Sequence, residues 1–211
     1  MKSRNPKRAG ISIALVLLTQ ASMQLLDMML PIAAIALPGQ SPDQVADWIK
    51  TNPVLRPAQG ERLLVRKSDT PSRRFQFQAS IMTPGLMERR GNINLIRSEQ
   101  IRFFDIVNGV TKSRLEESLR SIYDPEVMRD YAKAEVVYAY PTATMIRRSQ
   151  AKNASPLLSA LQGELRQGKK YAYWVELLQT NRGIANSGQI TIFELEALPS
   201  LEQKLRDREK L

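Results

Sequence analysis

Between residues 74 and 81 apolar and polar side chains alternate without a break: Phe75, Phe77, Ala79 and Ile81 interleave with Arg74, Gln76, Gln78 and Ser80. Successive side chains of a strand point to opposite faces, so the run demands a sheet with one buried and one polar face. A strand over 62–67 precedes it across the turn-forming Ser68-Asp69-Thr70-Pro71-Ser72. Strands over 93–97 and 100–107 follow a loop carrying Pro84, Gly85 and Gly91. Together they read as an antiparallel meander.

Helical periodicity flanks this half. Ser41-Pro42-Asp43-Gln44 carries a capping box with proline in the first turn, Val45, Trp48 and Ile49 share a face, and Asn52-Pro53 ends the helix. After Asn108-Gly109, Thr111 can cap a helix whose buried stripe is Leu115, Leu119 and Ile122, with Val110 packed on Leu115 as a staple. Asp124-Pro125-Glu126 opens a short helix to about Lys133, and Val136–Tyr140 reads as a strand stopped by Pro141. Ser155-Pro156 then opens a helix with Leu158, Leu161 and Leu165 inside and Gly168 as its stop. A last hairpin, 170–179 with 189–197, precedes a final helix marked by Leu198, Leu201 and Leu205. The expected fold is α+β: a single domain over 37–211, mainly an antiparallel sheet with helices packed on it.

An N-terminal signal segment precedes this body. Lys2, Arg4, Lys7 and Arg8 come before a mostly apolar run from Ile11 that closes on Ala34-Ile35-Ala36, with helix-breaking Pro31 just upstream. A basic start, an apolar segment and small side chains at Ala34 and Ala36 make the layout of a bacterial export signal with its cleavage site. Asp27 inside the run, with Gln20 and Gln24 near it, weighs against a permanent span, since a central carboxylate costs roughly 2.5–3.5 kcal/mol on insertion scales. Residues 1–36 are thus read as a cleaved signal, with an uncleaved N-terminal anchor as the alternative. The expected location is across the bacterial inner membrane: periplasm, lumen or cell surface.

The chain has no cysteine and no histidine. That excludes disulfides, thiolate nucleophiles, imidazole proton shuttles and the usual nitrogen or sulfur zinc sites. No cofactor and no metal site is expected. The formal net charge is +10, and the basic excess concentrates in two stretches, 56–102 with ten basic and four acidic residues and 136–182 with seven and two. Such asymmetry points to an anionic partner: a membrane surface, an acidic protein or an acidic glycan, with nucleic acid disfavoured by export.

Three arginine pairs are the candidate anion-binding residues: Arg73-Arg74, Arg89-Arg90 and Arg147-Arg148. A guanidinium grips phosphate or carboxylate with two hydrogen bonds, so convergence of these segments would build an anion site. Ser149 and Lys152 have the spacing of a lysine-activated serine, but no Lys-Thr-Gly follows and the spacing reads as coincidence. Tyr138, Tyr140, Tyr171, Tyr173 and Trp174 lie on two expected strands and are assigned to sheet packing ahead of ligand stacking. Glu194 and Glu196 alternate on an expected strand and Glu176 lies on its neighbour. These three would carry the chemistry of a small exported hydrolase, the alternative to the favoured reading of an exported, basic, non-catalytic binding or accessory protein.

Overall fold

The computed structural model describes residues 37–84, 94–151, 155, 157–180 and 183–210. The expected signal segment with Ala34 and Ala36, the pair Arg89-Arg90, and Lys152 lie outside the described residues. Seven strands form one antiparallel sheet: β1 (Leu64–Thr70), β2 (Arg73–Ser80), β3 (Ser98–Asp105), β4 (Glu135–Tyr140), β5 (Leu161–Gln167), β6 (Ala172–Gln179) and β7 (Ala185–Phe193). Their order is β1-β2-β3-β7-β6-β5-β4, so two meanders are joined where β3 meets β7. Among the described residues six helices accompany them: α1 (Pro42–Thr51), α2 (Lys112–Ile122), α3 (Pro125–Lys133), α4 (Ala143–Ser149), the single turn α5 (Leu157–Ala160) and α6 (Leu198–Asp207). The architecture is α+β. Among the described residues no helix is long and apolar enough to cross a membrane.

One face of the sheet is closed by α1, α2 and α3. Val65, Phe77, Ile101, Ile190 and Val175 stand in a cross-strand row on that face and pack with Ile49, Leu115, Leu119 and Tyr131. The helix ends are fastened as the sequence leads one to expect. Ser41 and Gln44 exchange both bonds of a capping box, and Thr111 accepts from the Arg114 amide. Buried Asn52 joins two elements: its amide donates to the Ile122 carbonyl at 2.9 Å, while its oxygen accepts from the Val54 and Leu55 amides.

The opposite face is closed over one half only. There α4, α5 and α6 cover β4–β7, with Met145, Leu158, Leu198, Leu201 and Leu205 packed on Tyr138, Leu165, Trp174 and Phe193. Over β1, β2 and β3 that face carries Arg66, Gln78, Arg74 and Arg102, all exposed.

Three expectations are corrected. The helix expected from Ser155 to Gly168 is one turn, and Leu161–Gln167 is strand β5. Leu161 and Leu165 are four apart, a spacing that keeps two side chains together on a helix and equally on a strand because four is even. Pairing with both β4 and β6 decides for the strand. The expected strand over 93–97 is not formed at Asn94–Arg97, and β3 starts at Ser98. The last strand runs Ala185–Phe193 instead of 189–197, and Leu195–Ala197 turns into a short 3-10 helix, so Glu194 and Glu196 do not alternate on a strand.

Candidate anion-binding face

The open half-face is built by register. Arg66, Gln76, Arg102 and Gln189 are successive cross-strand partners on β1, β2, β3 and β7, so their side chains stand in one row on one side. Arg74, Phe104 and Ser187 form the next row toward the end of the sheet. The Arg74 guanidinium lies 4.3 Å from the Phe104 ring centroid, a cation–π contact that holds it against the ring. Arg102 donates to Gln100 Oε1 at 3.1 Å and to Gln189 Oε1 at 3.0 Å, and Gln100 donates to the same Gln189 oxygen at 3.1 Å. Arg66, Arg74, Arg102, Gln76, Phe104 and Ser187 line a shallow basin of about 410 Å³.

Carboxylates explain why these cations stand apart. Glu194 is taken by Arg97 at 2.5 Å, and Glu164 by Arg166 at 2.6 Å and Lys112 at 2.7 Å. Asp105, with its side chain 1% exposed, accepts from the Val107 and Asn108 amides and pairs with Arg114 at 2.7 Å and Arg73 at 3.7 Å. The Asn108 amide and then Arg114 hold its carboxyl down at about 2. No described carboxylate lies within ion-pair distance of Arg66, Arg74 or Arg102.

The arginine pairs expected from the sequence are distributed differently. Arg73 and Arg74 are neighbours on β2 and diverge: Arg73 goes to Asp105, Arg74 onto Phe104. Arg147 and Arg148 lie on α4, where Arg147 donates to Thr144 and Arg148 to the Glu209 carbonyl. That helix follows β4, five strands from β2 and so roughly 24 Å across the sheet, and the two pairs do not converge. Arg66 and Arg102, which do border the Arg74 basin, do not stand out in the sequence. The signal for them is the same alternation that exposes Arg74: each occupies a polar-face position of its strand.

The remaining candidates are absorbed by packing. Glu176 accepts from Tyr140 Oη at 2.7 Å and from Arg208 at 2.6 Å, while Trp174 Nε1 donates to Tyr140 Oη at 2.8 Å. Burial, with Glu176 alongside, raises the Tyr140 hydroxyl well above the usual phenol range, so it stays a donor. Glu176 pairs with Gln189, five residues from Glu194 and roughly 15 Å along the strand, while Glu196 is exposed on the turn. The three glutamates do not meet. Tyr138, Tyr140, Tyr173 and Trp174 are all buried, and Tyr171 packs partly buried against the same helix-covered core as Tyr173. Ser149 Oγ donates back to the Ile146 carbonyl. Among the described residues no group of three or more acidic side chains is placed to hold a metal ion.

No protein-family model matches the chain, and no curated protein or solved structure shows significant similarity to it.

Proposed function

We propose that this is an exported, non-catalytic binding protein that engages an anionic surface through the open half of its sheet. Residues 1–36 act as the export signal in this reading. The observation that carries it is the row of arginine side chains with no ion-paired carboxylate among the described residues, Arg66 and Arg102 with Arg74 beside them, on a sheet face that the helices leave uncovered. Guanidinium groups held two strands apart by a rigid sheet suit a partner presenting repeated phosphates or carboxylates. The glutamines between them supply neutral hydrogen-bonding groups and no competing charge.

Inorganic polyphosphate is a suitable soluble probe for the intact chain. Converting Arg66, Arg74 and Arg102 to glutamine together is expected to weaken binding by an order of magnitude or more and to flatten the plot of log K against log salt by about two units. Converting Arg147 and Arg148 to glutamine is expected to change neither by much. Equal losses from both variants would assign the binding to net charge and reject the face.

A further inference from the structure

The end of the sheet next to this basin carries an unusual set of side chains. Seven large apolar side chains are exposed among the described residues, and four of them lie here: Ile106 (55%), Val107 (69%), Ile184 (54%) and Leu178 (42%). Ile106 and Val107 form the turn after β3, Ile184 leads into β7 and Leu178 is near the end of β6. The turns are fastened to one another. The Ile106 amide donates to Ser72 between β1 and β2, the Val110 amide donates to Ala185 at 2.7 Å, and a side chain at Gly109 would come within 3.0 Å of Ile184. Asp105 holds the outermost turn through the Val107 and Asn108 amides. Ile106 and Val107 are therefore held by hydrogen bonds within the fold before any partner arrives, which lowers the entropy lost on contact.

Cations are set back from the tip. Arg73 and Arg114, with side chains 42% and 39% exposed, meet at Asp105, whose carboxylate also accepts from the Val107 amide at 3.0 Å, so they gather at the base of the turn that carries Val107. Lys67 and Arg74 line a hollow with them, against which Asp69 is the acidic member, and Lys67 and Arg74 also border the Arg66–Arg102 basin. Apolar groups in front and guanidinium groups one step behind reproduce the depth profile of a bilayer surface. Acyl chains lie beneath a phosphate layer, and interfacial segments bury their apolar part about 5–10 Å deep. An acidic protein would complement the charge without accounting for apolar side chains spread over two separate turns.

We infer that the turn tip formed by Ile106, Val107 and Ile184 inserts into the headgroup region of an anionic bilayer while Arg73, Arg74 and Arg114 contact lipid phosphates. This names the partner of the basic face and rests on the anion-binding reading of it. Because the chain has no cysteine, Val107→Cys gives a single attachment point for an environment-sensitive fluorophore in the full chain. A matching label at Ile146→Cys, on exposed α4, serves as reference. With phosphatidylglycerol–phosphatidylcholine vesicles the Val107 label is expected to shift to the blue and to be quenched by doxyl-labelled acyl chains, while the Ile146 label stays in water. Adding Ile106→Ser and Ile184→Ser is expected to lower the inserted fraction on the order of tenfold.

The comparison between labels separates tip insertion from tethering by residues 1–36, which would bring both labels to the vesicle without burying either. A Val107 label that stays in water on vesicle-bound protein overturns the inference. If polyphosphate binding still depends on Arg66, Arg74 and Arg102, the basic-face reading survives that result and the partner is a soluble polyanion or acidic protein. Equal insertion into pure phosphatidylcholine would reject the contact with anionic lipid.

Discussion

Glu99→Gln is expected to stabilise the fold at pH 8 by roughly 3 kcal/mol relative to its effect at pH 4.5. Glu99 sits on β3 in the row Ala79, Glu99, Ile192, Tyr173, facing the helix-covered core, and is 1% exposed. Tyr123 donates to one oxygen at 2.7 Å, and the ring of Trp48 on α1 stacks on Tyr123 at 5.8 Å. The other oxygen, Oε1, has no hydrogen-bond partner among the described residues. Burial pushes the carboxyl up to about 7, against a smaller downward pull from the Tyr123 hydrogen bond. Below the unfolded value of 4.5 both states hold the proton and the group is neutral to stability. As pH rises from there the unfolded chain releases its proton first, so stability falls until the folded group ionises near 7 and then levels. Glutamine keeps the shape and the acceptor for Tyr123 but cannot ionise, so this slope disappears. Urea unfolding of both proteins across pH 4.5–8 measures it; a constant difference between them would show that Glu99 is not a buried acid.

Gly163→Ala is expected to cost about 2–4 kcal/mol although it adds only one methyl group. Gly163 lies on β5 between Tyr140 of β4 and Glu176 of β6, in the same cross-strand row. The Tyr140 ring passes over it to reach Glu176, and an added Cβ would stand 2.5 Å from both Tyr140 Oη and the Val175 carbonyl oxygen. The carbonyl belongs to a paired strand and cannot withdraw. Moving the tyrosine instead would strip Glu176 and the Trp174 indole of their shared partner in a buried layer. In a Tyr140→Leu background the conflict with the ring is gone while that with the Val175 carbonyl remains, so the two substitutions are expected to be less than additive in a double-mutant cycle. Additive costs would mean that the ring and the glycine do not depend on each other.

The same residues show what the sequence makes legible. Period-two alternation at 74–81 identifies β2 and its two faces correctly, and the capping box at Ser41–Gln44 and the Thr111 cap start α1 and α2 where expected. Local chemistry fixes such features within a few residues. The leucine spacing at 158–165 is local too, but it satisfies both periods, and only neighbours from β4 and β6 choose between them. The candidate binding face lies further from view. Arg66, Arg74 and Arg102 become one site only through the register of three strands, and their availability depends on which carboxylates have been claimed by Arg97, Arg114 and Arg166 elsewhere. Adjacent pairs such as Arg73-Arg74 stand out in a sequence, yet neighbours on a strand point apart.

The most direct test of the account is to map an anion onto the intact chain by following the arginine Nε–Hε resonances in NMR spectra during titration with inorganic polyphosphate. The account predicts that Arg66, Arg74 and Arg102 shift together and saturate at one concentration, with Arg147 and Arg148 unmoved. Shifts led by Arg147 and Arg148, or spread evenly over all exposed arginines, would contradict it.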